Sequence, residues 1–257
     1  MRLYLAGLEG IYKTSVEYLN KEIKNNNIYI LTSFYYKNSI QFDIENINKN
    51  NLLLDSGAFT FISNGINMNI DKYTDEYIDY INKNNIEQFF EMDIDTILGY
   101  EKVKELRNRI EKRTNKQCIP VWHLNRGIEE FKKHCEEYKY IAIGGLAAKH
   151  IKGKKAMNNI KEMIKYANKH NVKVHLLGYS KKDLLEFNSF SCDSTSWNQC
   201  RFGSLWNYNK EINQPYKQNR DKNKRIKKEH LQEIYLHNIK VWHKYQKYLK
   251  TQGYWKE

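Results

Sequence analysis

The stretch YIAIGGLAAKHIKGKKAMNNIKEMIKYANKHNVKVHLLG, residues 140–178, combines two strand patterns with a helix pattern between them. Its ends, YIAIGG (140–145) and KVHLLG (173–178), are short, mostly apolar runs that stop at glycine, as expected for strands covered on both faces. Residues 155–169 between them place apolar side chains at helical spacing. A strand, a helix and a second strand predict a right-handed crossover between parallel strands.

The same alternation covers most of the chain. Six more mostly apolar runs predict strands at 2–7, 28–36, 52–57, 88–93, 118–124 and 190–195. Helical spacing predicts helices at 11–24, 73–84, 100–115, 127–137 and 181–188, with a weaker candidate at 38–49. Eight strands alternating with helices within about 200 residues predict an α/β fold of the (β/α)8 TIM-barrel type. The alternative, an open doubly wound sheet, needs a glycine-rich phosphate turn after its first strand, and LAGLEG (5–10) is a poor version of that turn.

The C-terminal region differs in composition from the rest of the chain. Residues 213–230 hold the second of two prolines and a dense cationic run, which predicts a loop. The segment 228–250 repeats apolar residues at helical spacing and predicts a helix packed on the barrel. We therefore expect a barrel domain at 1–210, followed by a basic loop and C-terminal helix at 211–257.

The positive charge is concentrated in the same region. Thirteen Lys and Arg residues and five Asp and Glu residues lie in 210–257, so that only +5 of the net charge of +13 belongs to the first 209 residues. A basic tail on a nearly balanced body suggests a polyanion partner, bound through its phosphates. A lysine-rich, asparagine-rich composition from an AT-rich genome would give the same charge without any partner.

Composition also indicates where the protein works. No apolar stretch reaches the length that spans a bilayer, and the first residues, MRLYLAGLEGIYK (1–13), lack the features of a signal peptide. Four cysteines without a C-x-x-C pair predict free thiols in a reducing compartment. We therefore expect a cytoplasmic protein without a membrane partner, located in the host cytoplasm if a phage encodes it.

Polar residues and glycines follow the predicted strands at their carboxyl ends, where the active sites of such barrels lie. They are Asp55, Asp93, Asp95, His123, Asn125, Gly144, Gly145, Gly178, Tyr179 and Asp193. An aspartate near a strand end can simply cap a helix or close a turn, as Asp55 can in DSG (55–57). Three carboxylates in one cleft are costly without a chemical task. Two carboxylates facing one ligand suit glycosidic chemistry, one as nucleophile and the other as acid and base.

Five motifs resemble, in order and spacing, those of the tRNA-guanine transglycosylase superfamily. DSGAFT (55–60) resembles its D-S-G-G-F-Q motif, FFEMDID (89–95) its F-D-E segment, and IPVWHLNRG (119–127) stands where the family has V-Q-G-G. YIAIGGLAAKH (140–150) is very close to Y-A-I-G-G-L-A-x-G-E, and residues 174–197 are similar to the family's last motif. The superfamily includes queuine and archaeosine tRNA transglycosylases, and DNA-modifying relatives that insert 7-deazaguanines.

The resemblance implies roles for individual residues. Asp193 matches the nucleophilic aspartate that attacks C1′ of the nucleotide and expels guanine, and Asp55 matches the acid/base aspartate. Asp93 matches the acid that reads the Watson–Crick edge of the base. The other base-binding positions, in a slot that would stack the purine, are Ser56, Phe59, His123, Gly144, Gly145, Leu146, Leu177 and Gly178. The resemblance implies no cofactor.

Three departures from the family pattern matter. His123 replaces a glutamine in the base pocket, and Leu177 replaces a methionine opposite the aromatic residue. The C-x-C-x-x-C…H zinc motif of the tRNA enzymes is absent, since Cys192 and Cys200 are too few and wrongly spaced. We therefore predict no metal and no zinc subdomain. That subdomain supports dimerisation and tRNA docking in the family, so its loss argues against a tRNA substrate and leaves the oligomeric state open.

Together these features predict a pentosyltransferase that exchanges guanine for a 7-deazaguanine derivative in DNA, with the free base as co-substrate. The alternatives are a tRNA-guanine transglycosylase that uses the basic tail in place of the zinc module, and a non-catalytic nucleic-acid-binding protein on a decayed barrel. The paired carboxylates argue against the last, since a pure binder gains nothing from acids facing phosphates. The expected nucleic-acid contacts are Arg201, Arg220, Lys222, Lys224, Arg225, Lys227 and Lys228.

Overall fold

A curled, parallel sheet forms the centre of the molecule. The computed structural model describes residues 1–63, 69–146, 153–202, 204–218 and 227–255, without the side chains of Phe59, Ser63, Cys200, Arg201, Phe202, Lys228 and Glu229. The seven strands are β1 (Arg2–Ala6), β2 (Ile30–Ser33), β3 (Leu52–Asp55), β4 (Val121–Trp122), β5 (Tyr140–Ile143), β6 (Lys173–Leu176) and β7 (Ser191–Ser194). Their spatial order is β3-β2-β1-β7-β6-β5-β4, and the sheet curls into a half-barrel. The predicted α/β class with a parallel sheet is therefore confirmed.

Helices lie between the strands, as the sequence predicts. In the described part of the chain they are α1 (Lys13–Lys24), α2 (Ala58–Ser63), α3 (Ile70–Lys83), α4 (Asp95–Leu98), α5 (Tyr100–Thr114), α6 (Gly127–Glu137), α7 (Lys154–Lys169) and α8 (Lys228–Lys250). None of these helices, within the described ranges, has the length and apolar character needed to cross a bilayer.

Two predicted helices are wrong in type. The segment 181–188 contains only a 3-10 turn at Leu184–Phe187, and 38–49 contains parts of three short 3-10 turns joined by irregular residues. In the second segment Ile40, Ile44 and Ile47 have helical spacing, but the buried Phe42 would lie on the opposite face of such a helix, so one α-helix could not bury all four.

The sequence predicts eight regular strands in a closed barrel, and the sheet differs from that expectation at 88–93. This segment lies between the sheet edges β3 and β4 and makes only two isolated parallel bridges, through Phe89 towards β3 and through Phe90 towards β4. A regular ladder would next pair the Val121 N–H with the main-chain oxygen of Glu91. The N–H donates instead to the Glu91 carboxylate, at 2.9 Å, and the ladder stops. The described sheet is therefore not a closed eight-stranded barrel.

The two faces of the sheet bury separate sets of side chains, because side chains alternate along each strand. The outer face packs against the helices through a large apolar core that includes the buried free thiols of Cys118, Cys135 and Cys192, in line with the predicted thiols. The inner face of the curl holds a second cluster. Its members are Tyr4, Ala6, Tyr29, Leu31, Leu53, Phe90, Ile119, Val121 and Ala142. On each strand, the inward-facing position that follows this cluster therefore lies at the carboxyl end of the strand.

A hairpin that the sequence does not predict crosses the expected boundary at 210 between the barrel domain and the basic C-terminal region. β8 (Leu205–Asn209) and β9 (Gln214–Gln218) pair antiparallel, so the predicted loop at 213–230 is wrong for its first residues. Asn209 closes the connection, since its side chain accepts two backbone N–H groups of the turn at 2.8 and 3.3 Å. This asparagine is the local signal for the hairpin, because asparagine favours turns by bonding to the backbone just ahead of it.

The last helix, α8, is joined to the sheet by directional polar bonds as well as by its apolar face. It packs against α1, β1 and the hairpin. The buried Gln246 donates to the carbonyl oxygens of Leu3 and Tyr29 at 2.6 and 2.8 Å, and accepts the Tyr29 N–H at 3.1 Å. Asn238 donates to two further carbonyl oxygens near the hairpin, each at 3.0 Å. These bonds fix the register of α8 on the sheet.

Replacing Gln246 by alanine should therefore destabilise the protein. The substitution leaves the Leu3 oxygen and the Tyr29 N–H buried without their side-chain partner, and we expect a loss of about 2–4 kcal/mol. Urea unfolding followed by circular dichroism measures it. Glu233→Ala, at an exposed position of the same helix, should stay within about 0.5 kcal/mol of the wild type. Equal stabilities of the two variants would show that the Gln246 bonds do not hold α8.

Candidate functional site

Inward-facing positions at the carboxyl ends of the strands bring most of the predicted site residues together. Because the strands are parallel, these ends meet at one edge of the sheet. We call this edge the mouth. Its residues are Asp55 at the end of β3, His123 after β4, Gly144 after β5, Leu177 after β6, Asp193 in β7, and Asp93 beside them.

Asp55 is placed to exchange a proton near neutral pH. Its Oδ2 accepts the backbone N–H of Gly57 at 3.0 Å, so the turn that DSG predicts is present. The pKa of Asp55 is raised to about 6, mainly by burial and, against the opposing Gly57 hydrogen bond, by the charges of Asp93 and Asp193. A carboxyl group that is half protonated near pH 6 suits general acid–base chemistry.

Asp193 has a different environment. Its Oδ1 accepts the backbone N–H of Gly178 at 2.6 Å and lies 3.2 Å from Nε2 of His175. The side chain is 10% exposed. Among the described residues both contacts fall on Oδ1, which leaves Oδ2 available to a ligand. His175 is not among the predicted site residues, although a histidine at an inward-facing position of an apolar strand is a detectable signal.

His123 and Asp93 form a polar pair at the mouth. Nε2 of His123 lies 2.7 Å from Oδ1 of Asp93. Burial lowers the pKa of His123, but the hydrogen bond to Asp93 and the charges of Asp93 and Asp95 outweigh it, and the pKa is raised. The His123 and Asp93 side chains are 19% and 28% exposed, so that a ligand in the mouth can reach both.

Arg126 organises the acids behind this pair, and the sequence pattern did not single it out. Its guanidinium, 1% exposed, lies 3.0 Å from Glu91, 3.0 Å from Asp95 and 3.7 Å from Asp93, with its face 4.2 Å from the Tyr100 ring centroid. The sequence does contain a signal for Arg126. A cation just before α6 is unfavourable beside the positive end of the helix dipole, so residues outside the helix have to stabilise it. Four acidic and aromatic partners account for its position.

The same acids have the ligand types of a divalent-cation site. Ligand atoms of Asp93, Asp95 and His123 lie within 4.8 Å of one another. The Arg126 guanidinium already lies against both aspartates and balances their charge. The ion network explains the cluster, and we assign no metal to it.

A close backbone approach shapes the floor of the mouth. A Cβ atom on Gly144 would lie 2.9 Å from Nδ1 of His123 and closer still to its ring carbon, so only glycine leaves room for the histidine. The next residues, Gly145 with a φ of 79° and the buried Leu146, turn the chain away from β5. At the end of the neighbouring strand β6, Leu177 donates its backbone N–H to the Ile143 oxygen at 3.1 Å and packs on the inner cluster. Backbone groups at the ends of these two adjacent strands therefore lie along one side of the mouth.

The remaining predicted positions fall into three groups. Ser56 is buried, and its carbonyl oxygen accepts the Tyr73 hydroxyl at 2.7 Å. Lys227 is exposed just before α8. The positions outside the described residues are Arg220, Lys222, Lys224 and Arg225, together with the side chains of Phe59, Arg201 and Lys228.

Comparison with known proteins adds little. No protein-family model matches the chain, and no curated protein is similar to it. Among solved structures, the carboxyl transferase domain of Rhizobium etli pyruvate carboxylase, determined with pyruvate, is similar at 14% sequence identity with a TM-score of 0.41. That match covers 75% of this chain and 39% of the other.

The raised pKa of Asp55 predicts a pH-dependent gain of stability in Asp55→Asn. An acid whose pKa is higher in the folded than in the unfolded state destabilises the fold above its folded pKa, and this penalty disappears below its unfolded pKa. The change from 3.8 to about 6 corresponds to up to about 3 kcal/mol. We expect Asp55→Asn to be the more stable protein at pH 8 and to match the wild type near pH 4.

Urea unfolding of both proteins between pH 4 and pH 8 measures this difference. Asp79→Asn is the matched control, because its carboxylate is 73% exposed and should give no comparable gain. A wild type that is more stable than Asp55→Asn at pH 8 would contradict the raised pKa.

Proposed function

We propose that this protein is a guanine transglycosylase of nucleic acid, which exchanges guanine for a 7-deazaguanine base in DNA. The observation that carries the proposal is the contrast between the two aspartates at the mouth. Asp55 has a pKa of about 6, whereas Asp193 is held through Oδ1 by Gly178 and His175. One carboxyl group is suited to moving a proton, and the other to presenting a fixed oxygen to carbon.

In the proposed reaction, Oδ2 of Asp193 attacks C1′ of the target nucleotide. The bond between C1′ and N9 of guanine breaks, its electron pair goes to the base, and Asp55 in its acid form protonates the departing guanine. The incoming 7-deazaguanine loses a proton to Asp55, and its N9 then displaces Asp193 from C1′. Two inversions leave the configuration at C1′ unchanged, and Asp55 returns to its acid form.

The polar pair at the mouth supports a purine substrate. Asp93 offers carboxylate oxygens and His123 a ring nitrogen along one side of the opening. Guanine and 7-deazaguanines present N–H donors on the Watson–Crick edge, which a carboxylate accepts well. The motif resemblance implies the same role for Asp93.

We also propose that the half-barrel is a variant of the (β/α)8 barrel, with 88–91 as its eighth strand. This segment joins the regions of β3 and β4 through four backbone hydrogen bonds between 2.8 and 3.2 Å. Its Phe90 belongs to the inner cluster that the neighbouring strands share. In such a barrel the carboxyl ends of the strands are where catalytic groups gather.

A cleft beside the mouth supports a polynucleotide as the partner. Its volume is about 690 Å³, and the hairpin, α8 and the loop after β6 line it. Lys181, Lys182 and Lys217 bring positive charge, while Trp206 and the exposed Tyr216 bring aromatic faces. Cations and aromatic rings in one groove suit a single strand of nucleic acid. The choice of DNA over tRNA rests on the missing zinc motif.

Base exchange tests the proposed reaction. Wild-type protein incubated with radiolabelled guanine and single-stranded DNA, duplex DNA or tRNA should label DNA. Asp193→Asn should lose at least about 10³-fold in rate, because its amide is a poor nucleophile. Asp79→Asn, at an exposed position of α3, should keep the full rate. Labelling of tRNA alone would favour the tRNA alternative, and full exchange by Asp193→Asn would refute the nucleophile.

Salt dependence of DNA binding tests the cleft. The double variant Lys181→Ala/Lys182→Ala should bind single-stranded DNA more weakly than the wild type. Its plot of log affinity against log salt should be shallower by about 0.7 for each phosphate that the variant no longer neutralises. Lys72→Ala/Lys169→Ala removes the same charge from exposed positions elsewhere and is the matched control. Identical slopes for the two double variants would exclude the cleft as the strand-binding surface.

A further inference from the structure

A line of buried hydrogen bonds leads from β5 to Asp193. The Tyr140 hydroxyl lies 2.6 Å from Oγ of Ser191, which lies 2.7 Å from Nδ1 of His175. The other ring nitrogen, Nε2, lies 3.2 Å from Oδ1 of Asp193. Three neighbouring strands supply these four side chains at inward-facing positions, so the order of the sheet itself builds the line.

The surroundings of these groups determine which of them donates each hydrogen bond along the line. His175 is fully buried, with the Phe90 and Tyr4 rings at 5.3 and 6.1 Å. Burial raises the pKa of the Tyr140 hydroxyl well above its ordinary value, so this group keeps its proton. If Tyr140 donates to Ser191, the Ser191 hydroxyl is free to donate to Nδ1 of His175. The ring proton then resides on Nε2, facing the carboxylate.

The opposite arrangement, with the ring proton of His175 on Nδ1, is unfavourable while Asp193 is ionised. A proton on Nδ1 would place the lone pair of Nε2 against a carboxylate oxygen, and a buried pair of acceptors without a proton between them is costly. The carboxylate side of the ring therefore favours the same Nε2–H form that the Ser191 hydroxyl supports from the Nδ1 side.

We propose that His175 is a positioning residue for Asp193, with its Nε2–H tautomer fixed by Tyr140 through Ser191. Its N–H and that of Gly178 hold Oδ1 and so turn Oδ2 towards the mouth. The effect of His175 on catalysis rests on the proposed function, whereas the assignment of its tautomer does not. When Oδ2 bonds to C1′, Oδ1 becomes the carbonyl oxygen of the ester and keeps both donors. His175 neither gains nor loses a proton in either step.

The tautomer is measured without any substrate. Long-range ¹H–¹⁵N spectra of protein labelled at histidine distinguish Nε2–H, Nδ1–H and doubly protonated rings, and the signal missing from His175→Gln identifies His175. We expect Nε2–H in the wild type, and a shift towards mixed tautomers in Tyr140→Phe and Ser191→Ala. A wild-type His175 that carries its proton on Nδ1, or on both nitrogens, at pH 7 overturns the proposal.

Exchange kinetics test the consequence. His175→Phe removes the donor while keeping a ring, and we expect kcat to fall on the order of 10²-fold with KM within about twofold of the wild type. His175→Gln, which can place an amide N–H near Oδ1, should recover part of kcat. His170→Gln changes an exposed histidine and should change neither constant. Unchanged kcat in folded His175→Phe, or a rise in KM alone, refutes the positioning role.

The two measurements separate the failures. If no nucleic acid is labelled by the wild type, the proposed function fails, and the tautomer still decides whether the hydrogen-bond line holds Asp193. If His175→Phe does not fold, as judged by circular dichroism, Ser191→Ala gives both the tautomer and the kcat, and a full kcat with mixed tautomers overturns the proposal.

Discussion

The buried Glu91 carboxylate is the contact on which the mouth depends. It accepts the Val121 N–H and pairs with Arg107 and Arg126 at 3.1 and 3.0 Å, all within the protein interior. Burial raises the pKa of Glu91 against the opposing charges of the two arginines, so the carboxylate is tolerable only while both remain. Its position ends the ladder beside β4 and fixes Arg126, whose guanidinium then holds Asp95 and lies beside Asp93. One acid thus shapes both the sheet and the site.

Several aspartates lie at or beside the mouth, and different contacts compensate the negative charge of each. Asp95 is paired with Arg126, and Asp93 with His123. Asp193 lies against the N–H of Gly178 and the ring of His175. Asp55 accepts hydrogen bonds from the Gly57 N–H and from Ser33, but burial and the charges of Asp93 and Asp193 outweigh them and raise its pKa to about 6. The protein therefore carries an unfavourable electrostatic energy at one position, where a carboxyl group can take up and release a proton near neutral pH.

The regular elements could be predicted from the sequence because they depend on local periodicity. The apolar runs located seven strands, and helical spacing placed α5, α6 and α8 closely. Strand ends identified Asp55 and Asp193, since parallel strands present their carboxyl ends together. The features that the sequence did not reveal depend on contacts between residues that are distant in sequence. Glu91 and Arg126 meet across 35 positions, and nothing in the local pattern of 88–93 shows that a carboxylate will take a ladder hydrogen bond. The hairpin was missed because its second strand contains a proline and directly precedes the cationic run, so it was assigned to the loop at 213–230.

The close approach of Gly144 to His123 constrains how this site can diverge. Any side chain at 144 would collide with the imidazole ring in its present position, so bulk at 144 requires the histidine to move or to be replaced by a smaller residue. The two positions should covary in homologous sequences, with a larger residue at 144 accompanying a smaller one at 123. The same coupling makes the two positions unequal for protein engineering: shortening His123 creates space at the mouth without changing the backbone, whereas a substitution at Gly144 displaces the imidazole ring from Asp93.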